Sequence, residues 1–99
     1  MNQPNGGETL TEGVPYDITW GYTGFPETDA LEIRFSPDGG SSWFSLYTGI
    51  FSDFPTNTFS WTPTSGDVTG TGLIEIENTT AFVLDQSDGL FTVEAAPTV

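Results

Sequence analysis

The sequence predicts an all-β domain, a two-sheet antiparallel sandwich, on three observations. Apolar and polar residues alternate in short runs, Gly, Pro, Asn, Asp and Thr clusters separate those runs, and no segment of ten or more residues shows the 3.6-residue period of a helix. The first clear strand is Pro15 to Tyr22, with Tyr16, Ile18 and Trp20 on one face and Asp17 and Thr19 on the other. Ala30 to Phe35 follows, with Leu31, Ile33 and Phe35 inward and Glu32 and Arg34 outward. Ser42 to Thr48 carries Trp43, Phe44, Leu46 and Tyr47, and its parity stays open because adjacent Trp43 and Phe44 must face opposite ways. Thr58 to Thr62 pairs Phe59 with Trp61. Gly72 to Asn78 turns Ile74 and Ile76 inward and Glu75 and Glu77 outward, and Leu90 to Glu94 turns in Phe91 and Val93. Short pieces at Thr9 to Leu10 and Ala81 to Leu84 bring the count to about seven, the number of an immunoglobulin-like sandwich. Residues 1–94 are expected to form this one domain, and 95–99 a tail or the start of a linker.

Composition narrows the function. Fourteen acidic residues face one basic residue, Arg34, for a net charge of −13, and His, Cys and Lys are absent. One cation cannot neutralise a run of phosphates, so nucleic acid is an unsuitable partner, and anionic membrane surfaces are equally unsuited. No apolar run reaches the roughly 18 residues of a membrane span, so direct membrane insertion is not expected. Without His or Cys there is no Ser-His or Cys-His pair and no zinc site of the usual ligands. Aromatic residues make up 14% of the chain, which sets it apart from disordered acidic sequences. The carboxylates are spread over turns and outward strand positions. Such a surface keeps a threonine-rich β-domain soluble by repulsion and suits high salt, so a halophilic or marine setting is expected.

Several motifs then follow in order. Pro4-Asn5-Gly6-Gly7-Glu8-Thr9-Leu10 opens on residues that tolerate positive φ, so a sharp turn leads into the sheet. With Gly13 and Tyr16-x-Ile18-x-Trp20, Leu31-x-Ile33, Phe59-Ser60-Trp61-Thr62-Pro63, Ile74-x-Ile76 and Val83-Leu84-Asp85-Gln86-Ser87-Asp88, it resembles a known pattern. That pattern marks immunoglobulin-like domains of secreted bacterial and archaeal proteins, similar to the N-terminal domain of fungal Ser/Thr-rich GPI-anchored proteins and yeast cell-wall glucan assembly proteins. The resemblance covers nearly the whole chain. It implies an accessory module outside the cell or on its surface. Two departures stand out: Leu10 replaces the usual Trp, and only Met1-Asn2-Gln3 precede the turn where relatives have an apolar strand. The first strand is therefore expected to be missing or supplied by another chain.

Ser36-x-Asp38-x-Gly40-x-Ser42-Trp43 also matches the Asp-box pattern, a hairpin lock. Its Asp accepts backbone N–H groups, its Gly takes positive φ, and its Trp anchors the returning strand in the core. Acidic loop residues Glu27, Asp29, Asp53 and Asp67, and above all Asp85-x-x-Asp88, offer oxygen ligands. Calcium is the one cofactor these residues suggest, with Asp85 and Asp88 as its candidate ligands. Dense Asp-x-Asp spacing is absent, and turn formation is the plainer use of these residues. Glu75 and Glu77 sit on a flat strand face rather than across a cleft, so glycosidase chemistry, and enzyme activity generally, is not expected. Loop aromatics Phe25, Phe51 and Phe54 either stack on a sugar or partner, or close the ends of the sandwich, the commoner use. Asn78-Thr79-Thr80 is a glycosylation sequon.

Two functional expectations result. The first is a non-catalytic extracellular or cell-surface module that acts as spacer, adhesive or cell-wall carbohydrate contact, its partners being other domains and polysaccharide. The second is a subunit of a filament or lattice whose copies exchange strands across an open sheet edge, with or without calcium.

Overall fold

The computed structural model describes residues 2–21, 28–54 and 56–97. Among the described residues there are eight strands: β1 (Thr9–Thr11), β2 (Tyr16–Thr19), β3 (Ala30–Ser36), β4 (Phe44–Ile50), β5 (Thr58–Trp61), β6 (Thr69–Asn78), β7 (Val83–Gln86) and β8 (Phe91–Glu94). Short 3₁₀ turns at Phe51–Asp53 and Ser65–Asp67 precede β5 and β6. The strands form two sheets. The larger has the order β1-β8-β6-β3-β4, with β7 also paired to β6, and the smaller is β2-β5. All pairs are antiparallel except β1 with β8.

The alternation explains which side chains meet. Ile18 and Trp61 from the small sheet, with Trp20 just beyond β2, pack with Leu31, Ile33, Phe35, Ile74, Ile76, Phe91 and Val93 from the large one, and Leu10 joins them from β1. Phe35 lies 4.8 Å from Trp61 and 6.2 Å from Phe91, ring centre to ring centre, so it bridges the two layers. A fully buried side chain of this size contributes about 1.5–3 kcal/mol. Gly72 is part of the same packing: a Cβ there would stand 2.8 Å from Cε2 of the buried Phe91 ring. Gly72→Ala therefore overpacks the core and is expected to cost about 1–3 kcal/mol, read as a lower midpoint in urea at unchanged slope.

Three expectations change. β7 and β8 are collinear segments along one side of β6: β7 pairs with Glu75–Asn78, β8 with Thr69 and Gly72, and residues 87–90 interrupt the run. In β4 the open parity is settled by a bulge. Ile33 pairs with Tyr47 and Arg34 with Ser45, so Leu46 is the extra residue, and neighbouring Leu46 and Tyr47 both pack against the core. Phe44 is left 58% exposed. Finally, the place ahead of the first turn is partly filled by the chain itself, because Gln3 forms a bridge with Thr19 of β2. Asn2 and Gln3 donate to the Thr19 carbonyl at 3.0 and 3.1 Å, and Thr19 donates back to Gln3 at 2.9 Å.

Candidate functional site

The two sequence motifs at opposite ends of the chain meet in space. Gly6 and Gly7 take positive φ, and the Glu8 carboxylate closes the turn by accepting the Asn5 and Gly6 amides at 2.8 and 2.7 Å. The turn is then fastened to residues 87–90. The Asn5 side chain accepts the Asp88 amide at 2.9 Å and donates to the Asp88 carboxylate at 3.1 Å, while its carbonyl accepts Gly89 N–H at 2.8 Å. Beneath them Ser87 is buried. Its hydroxyl donates to the Pro4 carbonyl at 2.7 Å and accepts Ile74 N–H at 3.1 Å. Asp88, expected as a calcium ligand, is here part of this fastening, and Asp85 stands on β7 opposite Ile76. Among the described residues no group of three or more carboxylates is arranged to hold a metal ion.

The hairpin motif forms its lock. Asp38 accepts Ser42 N–H at 2.7 Å and the Ser36 hydroxyl at 2.9 Å, Ser36 Oγ accepts Gly40 N–H at 2.8 Å, and Gly40 has φ +99. The backbone bond from Ser42, aided by the Ser36 and Ser42 side chains, holds the Asp38 carboxyl below its usual pKa. A carboxyl depressed in the folded state stabilises above the unfolded pKa, near 4, and that stabilisation is lost as pH falls through the folded value. The Tm gap between the parent and Asp38→Asn is therefore expected to close on acidification below about pH 4. A gap that widened there would contradict this role. Trp43 departs from expectation. It is half-buried and lies outside the core, and Gly40 sits between it and Leu73, where a Cβ would be 3.8 Å from Trp43 Cζ2 and 3.7 Å from Leu73 Cδ1. The loop folds over the outside of the large sheet, held by Gly39 N–H on the Thr71 carbonyl and by the Thr69 and Thr71 hydroxyls on the Pro37 carbonyl.

On that outer face, register aligns Gln86, Glu75, Arg34 and Ser45 in one row and Leu84, Glu77, Glu32 and Thr48 in the next. Glu75, expected as a solvated outward residue, is only 6% exposed. Arg34 bonds to Glu32, Glu75 and Glu77 together, and Gln86 Nε2 donates to the other Glu75 oxygen at 3.2 Å. Burial alone would lower the Arg34 pKa, but the hydrogen bonds to Glu77, Glu32 and Glu75 outweigh it and raise it. The chain's single cation is thus consumed inside its own fold.

The loop aromatics act as caps. Phe51 is buried in the core, and Phe54 is half-buried, edge-on to Trp20, Tyr47 and Phe59 at centroid distances of 5.9, 4.8 and 5.7 Å. Both are turned into the fold, because closing the open end of the sandwich hides apolar area. Phe25 lies outside the described residues. Asp53 secures this end by accepting the Tyr47 hydroxyl at 2.8 Å and Ile50 N–H at 3.1 Å. The Ile50 backbone bond, then the Tyr47 bond, lower its pKa. Among the described residues, Trp20 Nε1 is the buried side-chain donor without an acceptor. The sequon is also structural: Asn78 is 1% exposed, its Nδ2 donates to Asp29 at 2.8 Å, and its Oδ1 accepts the Thr80 and Ala81 amides. A glycan on Nδ2 is incompatible with that burial.

Some large apolar side chains also stay outside the fold. Phe82, Val83 and Leu84, at the β6–β7 turn and the start of β7, are 83%, 46% and 50% exposed, and Phe82 takes a left-handed φ of 58°. No alternation exposes three such residues in sequence, and only the pairing partners of β7 explain it: β6 lies on one side and no described strand on the other. Comparison with protein-family models, with curated proteins and with solved structures found no match.

Proposed function

We propose that the chain is a non-catalytic, immunoglobulin-like module of an extracellular or cell-surface protein, working as spacer, adhesive or carbohydrate contact. The observation that carries this reading is how the polar motifs are used. Glu8, Asn5, Asp88, Asp38, Asp53 and the cluster around Arg34 all hold backbone or one another. Groups spent on loop closure are poor candidates for proton transfer, which needs a carboxyl within reach of a substrate atom. The immunoglobulin-like assignment draws on the strand order, with β2 and β5 in one sheet and β3, β6 and β8 adjacent in the other. An acidic surface supports an environment rich in salt, and a Tm that failed to rise with sodium chloride would remove that element.

A panel of cell-wall polysaccharides tests the reading directly. Retention on at least one polymer without release of reducing ends is the expected result for a contact module, and retention on none leaves the spacer role. Hydrolysis of any polymer would overturn the proposal. A second reading, assembly into a filament or lattice by strand addition, draws on the side of β7 away from β6, where no described strand lies.

A further inference from the structure

The turn that opens the domain contains a reactive pair that the fold requires. Of the four asparagines, Asn5 is the one followed by glycine. Glycine has no side chain to shield its nitrogen and reaches conformations closed to other residues, so an Asn-Gly bond can fold back on itself and close a cyclic imide. Each member of the pair is called for by its surroundings. Gly6 has a φ of +142°, and a Cβ on it would stand 3.1 Å from the Gly89 Cα. Asn5 both accepts the Asp88 amide at 2.9 Å and donates to the Asp88 carboxylate at 3.1 Å. An ionised aspartate at this position would have no N–H to give.

The native bonds hold this pair unreacted. Ring closure brings Asn5 Cγ onto the Gly6 nitrogen, and that nitrogen must first give up its proton. The Gly6 N–H instead donates to Glu8 Oε1 at 2.7 Å, beside a negative charge that opposes proton loss. Asp88 meanwhile holds the Asn5 side chain at both its oxygen and its nitrogen. Opening of the turn, a local event that needs no global unfolding, removes both restraints. We propose that Asn5 is a self-modification site, converted to aspartate or isoaspartate when the turn opens from residues 87–90, and that conversion keeps the turn from closing again. Hydroxide takes the Gly6 proton and the Gly6 nitrogen bonds to Asn5 Cγ. The Cγ–Nδ2 bond then breaks, and ammonia leaves with a proton from water. Water opens the imide at either carbonyl: breaking the new N–Cγ bond yields aspartate, and breaking the original Asn5–Gly6 peptide bond yields isoaspartate. Nothing is oxidised or reduced. Either product replaces the Nδ2 donor with a second carboxylate beside Asp88, so a hydrogen bond becomes a contact between like charges. Isoaspartate also takes the Asn5 carbonyl, the acceptor of Gly89 N–H, out of the main chain.

The full chain is held in mildly alkaline buffer and sampled by peptide mapping, which reads the mass gained when an amide becomes an acid. Conversion is expected at Asn5 and not at Asn2, Asn57 or Asn78. Asp88→Ala leaves both reacting residues in place and removes the carboxylate that holds the Asn5 amide, so it is expected to convert about tenfold faster than the parent. A peptide of residues 2–9, which lacks the fastening altogether, should convert faster than either protein. Asn5→Asp stands for the product. It is expected to melt below Asn5→Ala, because only the aspartate sets a second charge against Asp88, and its Gly7 and Gly89 amides should exchange faster than those of the parent. No conversion at Asn5 in the parent, equal rates in the parent and Asp88→Ala, or an Asn5→Asp variant that melts with the parent would each overturn the proposal. The module reading is tested by the polysaccharide panel and is untouched by any of these results.

Discussion

Replacing Arg34 by Met is expected to lower stability by about 3 kcal/mol, because it leaves three carboxylates together on one sheet face with nothing between them. The Arg34 side chain is 22% exposed and the Glu75 side chain 9%, so solvent screens this cluster only in part. Removing one member of a buried ion pair costs more than the pair contributes, since the remaining charge keeps its desolvation penalty. Here the remainder is three charges. For a domain of this size the loss corresponds to a fall in Tm of at least about 12 °C. Salt provides a control: screening weakens the repulsion among the three carboxylates, so added sodium chloride should narrow the stability gap between the variant and the parent. Arg34→Lys retains charge but not the planar fork that reaches several carboxylates at once, and should fall between the two. A Met variant that melts with the parent at neutral pH would show that the cluster is energetically idle.

The second large effect is at Ser87. Ser87→Ala removes one oxygen but strands two backbone groups, the Ile74 N–H and the Pro4 C=O, which both lose a partner in a buried position. Each such group costs about 1–3 kcal/mol, so about 3 kcal/mol in total is expected. Loss of the Pro4 contact should also loosen the first turn. Amide exchange at Gly7 and Gly89, whose N–H groups bond to Leu90 O and Asn5 O, should speed up along with the fall in stability. Asn5→Ala is the comparison. It breaks two bonds to Asp88 in an exposed setting, where water replaces them, and should cost less than Ser87→Ala.

The inward positions of β2, β3, β5, β6 and β8 could be read from alternation alone, because a strand half-buried on one face must place every second residue there. Ile18, Trp20, Leu31, Ile33, Phe35, Ile74, Ile76, Phe91 and Val93 all lie where that rule puts them. The hairpin lock at Ser36, Asp38 and Gly40 was equally legible, since its bonds span only a few residues. Trp43, Phe51 and Phe54 were less so. A loop aromatic covers whichever surface the loop folds over, and that depends on a neighbouring strand or sheet end distant in sequence. Leu46 shows the same limit on a smaller scale, because a bulge is a property of two strands rather than one.

The polar chemistry divides along the same line. A charge of −13 with no His, Cys or Lys follows from composition alone, and it leaves the chain no imidazole or thiol and a single guanidinium. Charge is a sum over residues and needs no geometry. The use of each charge does need it. Arg34 and Glu75 are 41 positions apart, and Asn5 and Asp88 are 83 apart. Strand order brings each pair together, gathering outward carboxylates into a cluster around Arg34 and fastening the first turn to Asp88. The exposure of Val83-Leu84-Asp85-Gln86 is likewise invisible in the segment itself, because it depends on which strands lie beside β7, and among the described residues β6 is the strand that pairs with it.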